Sequence, residues 1–145
     1  MPGEKTRAVS AKGVEEYKPH ITKCIPVTAM INCADNTGAK KLKVVQVIRY
    51  KGRLKRVPSA AIGDEVVVVV RVGTPEVRKQ LFHAIIVRQR YPMRRISGDR
   101  ISFEDNAAVL ITPEGDLKGT EIRGPVASEA AEKWPRIANL ASMIV

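Results

Sequence analysis

The sequence has few of the residues that mark membrane, secreted or single-strand-binding proteins. Aromatic residues make up only 4% of its 145 residues, and Cys24 and Cys33 are the only cysteines. No stretch approaches the roughly 18 consecutive apolar residues of a membrane span, and the opening MPGEKTRAVS lacks the apolar segment of a signal peptide. We therefore expect a cytoplasmic protein with no membrane contact, with reduced cysteines and a core of Val, Ile and Ala.

The sequence also lacks the motifs of catalysis and metal binding. It has no GxxxxGK[ST] phosphate loop and no GxSxG nucleophile turn. The acidic pairs Asp64–Glu65 and Glu104–Asp105 are adjacent, so on a strand their side chains would point to opposite faces rather than form an acid/base couple. No pair of candidate zinc ligands has the short spacing of a zinc site, these ligands being His20, Cys24, Cys33 and His83. We expect no enzyme, no metal and no cofactor.

Positive charge is what the sequence has in excess, with 25 Lys and Arg against 15 Asp and Glu and a net charge of +10. The excess is concentrated in two segments. Residues 40–56 carry eight basic and no acidic side chains, and residues 71–100 carry eight basic and two acidic ones. Residues 101–145 have a small acidic excess. Clustered charge of this kind predicts a polyanionic partner, because neutralising phosphates releases condensed counterions.

We predict that the two basic segments bind RNA. The planar guanidinium groups of the second segment suit bidentate contact with phosphate. Only Tyr50 and Tyr91 lie among the charges, so we expect recognition of the shape and backbone of folded RNA rather than stacking on single strands. The predicted RNA-binding residues are Lys40, Lys41, Lys43, Arg49, Lys51, Arg53, Lys55, Arg56, Arg71, Arg78, Lys79, Arg88, Arg90, Arg94, Arg95 and Arg100.

Short apolar segments separated by turns predict a mostly β protein. Five consecutive valines within Glu65–Val72 do not alternate with polar residues, which predicts a strand buried on both faces. The absence of helical period between the segments favours a closed barrel of antiparallel strands over a parallel sheet. The predicted strands are Thr28–Ala34, Leu42–Tyr50, Glu65–Val72, Leu81–Arg90 and Asn106–Thr112, with Ile101–Phe103 as a shorter one.

Helical period occurs only near the C-terminus. Val126, Ala130 and Trp134 recur every four residues between Pro125, which suits a first helical position, and Pro135, which ends the run. A second short helix is predicted from the apolar spacing of Ile137, Leu140, Ala141 and Ile144. We therefore predict an extended or disordered N-terminal extension over residues 1–20, then a single barrel domain over residues 21–145 with a helical tail at about 125–143.

Several motifs resemble those of one known family. Ala84–Val87 is followed at fixed spacing by Ser97-Gly98, Phe103, Asn106 and Val109-Leu110, a pattern similar to the signature of the universal large-subunit ribosomal protein family fourteen. The resemblance extends from about residue 28 to the C-terminus in one register. Other matching segments are Cys33–Ala39, Gly63-Asp64, Gly73–Glu76, Phe103–Ala107, Gly119-Thr120 and Gly124–Ala127. Lys118–Glu121 and Trp134–Ala138 resemble archaeal or eukaryotic members, and we expect an archaeal one.

The resemblance implies a small closed five-stranded barrel with a projecting β-hairpin and a C-terminal helical segment. It implies a structural constituent of the large ribosomal subunit that binds large-subunit ribosomal RNA and neighbouring ribosomal proteins. It also implies contact with small-subunit RNA across the intersubunit face and docking of an anti-association factor on the C-terminal region. The residues that match the docking face are Thr120, Glu121, Arg136 and Asn139.

Two other functions compete with this one. In a protein-interaction module, the C-terminal helices would recruit a partner and RNA binding would be incidental. The small residues of Val126–Trp134 allow such close approach, but they suit packing against the chain's own barrel equally well. An RNA-processing enzyme would need an active site, for which the sequence offers no residues.

Overall fold

The computed structural model describes residues 20–145, so residues 1–19 of the predicted N-terminal extension lie outside the described part. In chain order the elements are β1 (Ile25–Pro26), β2 (Met30–Cys33), β3 (Ala39–Val47), β4 (Ser59–Ala60), β5 (Glu65–Gly73), β6 (Leu81–Arg88), β7 (Met93–Arg94), β8 (Arg100–Ile101), β9 (Ala107–Ile111), β10 (Ile122–Val126), α1 (Ser128–Lys133), α2 (Pro135–Leu140) and β11 (Ala141–Ile144). No helix among these is long and apolar enough to cross a membrane.

Five strands close into a barrel in the order β2-β3-β5-β6-β9. The predicted five-stranded barrel is therefore confirmed. The prediction that it is antiparallel throughout is wrong, because the closing pair β2–β9 is parallel while the other four pairs are antiparallel. The reason is geometric. When strand directions alternate around a closed barrel with an odd number of strands, one pair of neighbouring strands must be parallel.

The core is filled mainly by Val, Ile, Leu and Ala side chains of the barrel strands. In β5 the burial alternates: Val66, Val68 and Val70 are fully buried, whereas Val67 and Val69 are half-buried. The predicted burial of this strand on both faces is therefore wrong. Strand β9 has that property instead, with all five residues buried. The chain that follows β9 returns over this side of the barrel, and Lys118 N donates to Leu110 O at 3.0 Å.

The two C-terminal helices are confirmed, but their bounds differ from those predicted. Pro125 lies in β10, and it is Pro135 that occupies the first turn of a helix, α2. The last residues of the chain form β11, which pairs in parallel with β10 through Ile122–Ala141 and Val126–Ile144. Pairing of β10 with β11 satisfies backbone groups that helix termini at these positions would leave without partners.

A short hairpin, β7–β8, lies outside the barrel sheet and contains the predicted turn at Ser97–Asp99. Its strands pair through Met93–Ile101 and Arg94–Arg100. Met93 is buried and packs in the core, whereas residues 96–100 are exposed. The base of the hairpin is thus packed against the core, and its tip is exposed to solvent.

Candidate nucleic-acid interface

The barrel gathers one group of exposed basic residues at the end where β3 begins and β5 ends. Pairing of Ala39 with Gly73 fixes this end, and the turn that follows β5 stays close because Lys79 N donates to Val70 O at 2.9 Å. We call this group the first basic pole. Its exposed residues are Lys40, Lys41, Arg71, Arg78 and Lys79.

A second group lies at the opposite end of the barrel, where β3 and β6 end and β5 begins. Pairing of Val47 with Val66 and of Glu65 with Ile85 brings these strand ends together. The connection after β3 and the hairpin after β6 both project from here. We call this group the second basic pole. Its exposed residues are Arg49, Lys51, Arg53, Lys55, Arg56, Arg90, Arg94 and Arg100.

Each pole therefore mixes residues from both basic segments of the sequence. Residues 40–56 begin at the first pole and end at the second, while residues 71–100 run the same way along β6. The nine residues of β3 separate the poles, a distance of about 30 Å for an extended strand. A site built this way can contact phosphates at two well-separated places on one folded RNA.

Three predicted RNA-binding residues differ from these thirteen because they are partly or fully buried. Lys43 is half-buried on β3. Arg95 donates from Nε to Glu129 Oε1 at 2.9 Å. Arg88 is only 9% exposed. We therefore place these three outside the poles.

Arg88 ties the end of β6 to β10. Its Nη1 donates to the carbonyl oxygens of Arg123 at 2.8 Å and Pro125 at 3.1 Å, and its Nε donates to Asp105 Oδ1 at 3.0 Å. Asn32 Nδ2 also donates to Asp105, at 2.9 Å. Partial burial raises the pKa of Asp105, but the hydrogen bonds from Asn32 and Arg88 and the charge of Arg88 outweigh it and lower the pKa below its usual value. The pair is thus internal and ionised at neutral pH.

Three basic residues of the poles have left-handed backbone. Arg49, Lys55 and Lys79 have φ values of 57°, 66° and 65°, and within residues 20–145 only Thr28 among the other non-glycine residues has positive φ. This conformation costs about 1–2 kcal/mol for a side chain with a Cβ. Such strain tends to concentrate at functional sites. No signal in the sequence marks these positions, because glycine, Asn or Asp would be expected there.

Sequence reasoning predicted a turn at Asp35–Gly38 but missed the buried carboxylate that holds it. Asp35 accepts hydrogen bonds from Thr37 N at 3.2 Å, Thr37 Oγ1 at 2.6 Å and Leu110 N at 2.8 Å. The Cys33 thiol donates to it at 3.0 Å. Burial, together with the nearby charge of Asp35, raises the pKa of Cys33 to about 12. Cys33 is therefore a structural thiol beside the first basic pole, free of any disulfide.

The four predicted protein-contact residues are all exposed and lie on one part of the C-terminal surface. The pairing of Ile122 with Ala141 brings Thr120 and Glu121 beside Asn139. Thr120 is held by Asn36, whose Nδ2 donates to Thr120 Oγ1 at 2.8 Å. Arg136 contacts the carboxylate of Asp116. We call the four residues the C-terminal face.

No group of three or more His, Cys, Asp and Glu side chains within residues 20–145 is arranged to hold a metal ion. A half-open cleft of about 860 Å³ lies beside the second pole, between the connection after β3 and helix α1. Its lining mixes acidic residues, among them Asp64 and Glu129, with basic ones such as Arg56 and Lys133. The carboxylate of Asp64 is close to two lysine side chains, at 3.8 Å from Lys23 Nζ and 3.7 Å from Lys133 Nζ.

Comparison with known proteins identifies the class. The family model described as ribosomal protein L14p/L23e matches residues 24–145. The chain belongs to this family, a structural and non-enzymatic one. Among its relatives, large ribosomal subunit protein uL14 of Nitrosopumilus maritimus is 62% identical over 94% of this chain and 97% of the relative. The uL14 protein of Cenarchaeum symbiosum is 60% identical over 93% and 94%, and that of Metallosphaera sedula 54% over 86% and 91%. These relatives are archaeal, as the residues near the C-terminus led us to expect.

Proposed function

We propose that the protein is a structural constituent of the large ribosomal subunit and binds large-subunit ribosomal RNA through its two basic poles. The family and the names of its relatives support the ribosomal role. The observation that carries RNA binding is the placement of thirteen exposed Lys and Arg side chains at the two ends of one closed barrel. Proteins of this charge pattern bind folded RNA mainly through phosphate and sugar.

The mechanism is counterion release from a rigid frame. The closed barrel has no free edge and fixes the distance between the poles, so few degrees of freedom are lost when the RNA docks. Each phosphate that a pole residue neutralises releases condensed cations into solution. Binding in this mode is tight at low salt and weakens steeply as salt rises.

Salt dependence of binding tests this proposal. With about ten phosphate contacts, the logarithm of the binding constant of the full chain for transcribed large-subunit ribosomal RNA should fall against the logarithm of salt concentration with a slope of roughly −7 to −9. Replacing the basic residues of one pole by Gln should make the slope shallower. Lys118→Gln with Arg123→Gln, both outside the poles, is the matched control. A wild-type slope near −2 would contradict the proposal.

Assembly into the subunit is tested by sedimentation of a tagged chain from lysate. We expect the chain to migrate with the large subunit and to stay there through a moderate salt wash, because the barrel is held by RNA and by neighbouring ribosomal proteins. Migration as a free small protein at low and high salt would exclude the ribosomal role.

We further propose that the C-terminal face contacts protein, including an anti-association factor, and that the protein contributes to the intersubunit face and its small-subunit RNA. Support comes from the exposure of all four face residues and from the pairing of Ile122 with Ala141, which brings the chain before β10 close to the end of α2. Arg136→Glu with Asn139→Glu should abolish docking of the factor and spare RNA binding. Glu132→Lys, an exposed charge reversal on α1, should spare both. Loss of docking and RNA binding together would mean that the face only supports the fold.

A separate experiment tests the small-subunit contact. Pole variants that still assemble into the large subunit should weaken its association with the small subunit.

The alternative of a dedicated protein-interaction module is less well supported. The small residues of α1, Ala130 and Ala131, are buried, and Trp134 packs against the core. The helix face that would recruit a partner is therefore used by the chain's own barrel.

A further inference from the structure

Two aliphatic side chains are exposed at the apices of the loops that form the second basic pole. Leu54 is 88% exposed and Ile96 is 78% exposed, the highest values among the large hydrophobic residues of the described chain. Neither packs against the core. Isolated exposed apolar residues are common on protein surfaces, but these two share a position: each lies at the tip of a loop that carries exposed basic side chains.

Both apices are held in defined conformations. Around Leu54, Arg56 N donates to Arg53 O at 3.1 Å, and Lys55 has left-handed backbone. Around Ile96, Arg95 N donates to Asp99 O and Gly98 N to Arg95 O, both at 2.9 Å. Ser97 Oγ donates to Asp99 Oδ2 at 2.9 Å. The apolar tips are thus presented by structured turns, which lowers the entropy lost when a partner orders them.

The base of the hairpin is fixed to the barrel by a buried amide. Gln89 is fully buried; its Oε1 accepts from Ile62 N at 3.2 Å, and its Nε2 donates to Tyr91 O at 3.1 Å. Phe103 N donates to Gln89 O at 3.1 Å on the other side of the hairpin. Ile96 therefore projects from a base that the core holds in place.

The loop that carries Leu54 borders the half-open cleft, and the hairpin that carries Ile96 is joined to one of the residues that line it. Arg56, which closes the Leu54 turn, lines the half-open cleft together with Glu129. Glu129 in turn accepts from Arg95, the residue next to Ile96, at 2.9 Å. The loop of Leu54 and the hairpin of Ile96 are thus linked through Glu129, and each carries exposed arginines.

We propose that Leu54 and Ile96 contact bases of the ribosomal RNA, so that the second pole reads local RNA structure in addition to neutralising phosphates. This inference rests on the proposed function and deepens it. Aliphatic side chains gain no binding energy from contact with phosphate. They pack well on the faces and edges of unstacked bases, which occur in the loops and bulges of structured RNA.

Charge favours RNA over a protein pocket as the occupant. Leu54 is flanked by Arg53, Lys55 and Arg56. On the hairpin of Ile96, Arg94 and Arg100 are exposed, whereas Arg95 is paired with Glu129. An apolar pocket on a protein would need a rim of several acidic groups to accept these cations. A base carries its own phosphates beside it, so one nucleotide segment satisfies both the apolar apex and its cationic flanks.

Single substitutions to Ser remove the apolar contact without changing charge. We expect Leu54→Ser and Ile96→Ser each to lower the affinity for transcribed large-subunit ribosomal RNA by about tenfold, which is the scale of burying one such side chain. The salt slope should stay at the wild-type value. Binding to a generic A-form RNA duplex of fixed length should not change, because its bases are stacked and out of reach. Met30→Ser, at an exposed position on β2 between the poles, is the matched control and should bind both RNAs like the wild type.

Three outcomes would overturn the inference. Wild-type affinity of both Ser variants for the ribosomal RNA excludes base contact. Equal losses on the ribosomal RNA and on the generic duplex show a general effect on the pole. Wild-type RNA binding combined with loss of the chain from sedimenting subunits assigns the apices to a protein partner. Failure of the proposed function is distinct, since there the pole-to-Gln variants themselves leave the salt slope unchanged. Thermal unfolding of each variant verifies that the fold is intact.

Discussion

Arg88 and Gly124 fit each other at the scale of single atoms. Gly124 has a φ of 78°, and a Cβ at this position would lie 2.7 Å from Arg88 Nη1. The absence of a side chain thus lets the guanidinium reach the carbonyl groups of β10 on either side of the glycine. Arg88 was predicted to contact RNA, and nothing in the sequence distinguishes it from its exposed neighbours, because its burial depends on a segment more than 30 residues further along the chain.

We expect Gly124→Ala to lower the free energy of unfolding by about 3 kcal/mol, through backbone strain and displacement of a buried charge from its partners. Urea denaturation measures the loss. In combination with Arg88→Ala, the two losses should be clearly less than additive, since each substitution breaks the same contacts. Additive losses would show that the glycine acts independently of Arg88.

The thiol of Cys33 differs from an ordinary cysteine in reactivity. Because its pKa is raised to about 12, only about one molecule in ten thousand carries the reactive thiolate at pH 8. We expect alkylation of Cys33 by iodoacetamide in the folded protein to be far slower than in urea-unfolded protein, as measured by mass spectrometry over time. Asp35→Asn should speed the reaction, because it removes the negative charge next to the sulfur. Equal rates in folded and unfolded protein would contradict the hydrogen-bonded geometry.

At the scale of elements, α1 is fastened to the barrel by one aromatic side chain. Trp134 follows the helix, packs against the core and donates from Nε1 to Gly63 O at 2.9 Å. Gly63 lies in the turn before β5, so this bond joins the C-terminal segment to the end of the barrel that carries the second pole. The helix itself is only six residues long, too short to be stable without such contacts.

We expect Trp134→Phe to lower the free energy of unfolding by about 1 kcal/mol, because the ring still packs but the hydrogen bond is lost. Trp134→Ala should cost about 3 kcal/mol or more, because the packing is lost too. Chemical denaturation of both variants gives the two values. A Phe variant as unstable as the Ala variant would show that the hydrogen bond, not the packing, holds the helix.

Local sequence patterns predicted the strands and the existence of the two C-terminal helices, but not the bounds of those helices. The barrel strands contain β-branched residues bounded by turn residues, so propensity and tertiary structure agree there. Between Val126 and Trp134, a spacing of four suggested one helix, yet Val126 is buried as a strand residue that pairs with β11. Such pairing between segments is a tertiary effect that periodicity cannot register. The exposure of Leu54 and Ile96 could not be predicted for the same reason, since the sequence does not reveal which leucine or isoleucine stays exposed.

On the scale of the whole molecule, the charge forms two separate poles rather than one face. Sequence composition predicted how much basic charge there is and in which segments. It did not predict that β3 carries the first basic segment, and β6 the second, from one end of the barrel to the other. Each segment is therefore divided between the two poles. The barrel register, not the charge pattern, sets this division.

Because the poles lie about 30 Å apart, beyond the range of screened interaction at physiological salt, we expect their contributions to be independent. Neutralising the first pole and the second pole should change the salt slope by amounts that add in the combined variant. Binding to ribosomal RNA across a salt series, for the wild type and the three variants, measures this. A combined change well below the sum would mean that one pole docks only after the other.

The parallel pair that closes the barrel also bears on how the chain is made. Asn32 pairs with Ala107 here, so the two strands are separated by roughly 75 residues along the chain. Closing so long a loop costs conformational entropy before the contacts between the strands form. During synthesis, β2, β3, β5 and β6 can assemble as an open sheet as they emerge, but the ring cannot shut until β9 has left the exit tunnel. The strands that set the distance between the poles, β3, β5 and β6, thus emerge before the strand that closes the ring. Closure of the barrel is therefore a step that waits until synthesis of the chain is nearly complete.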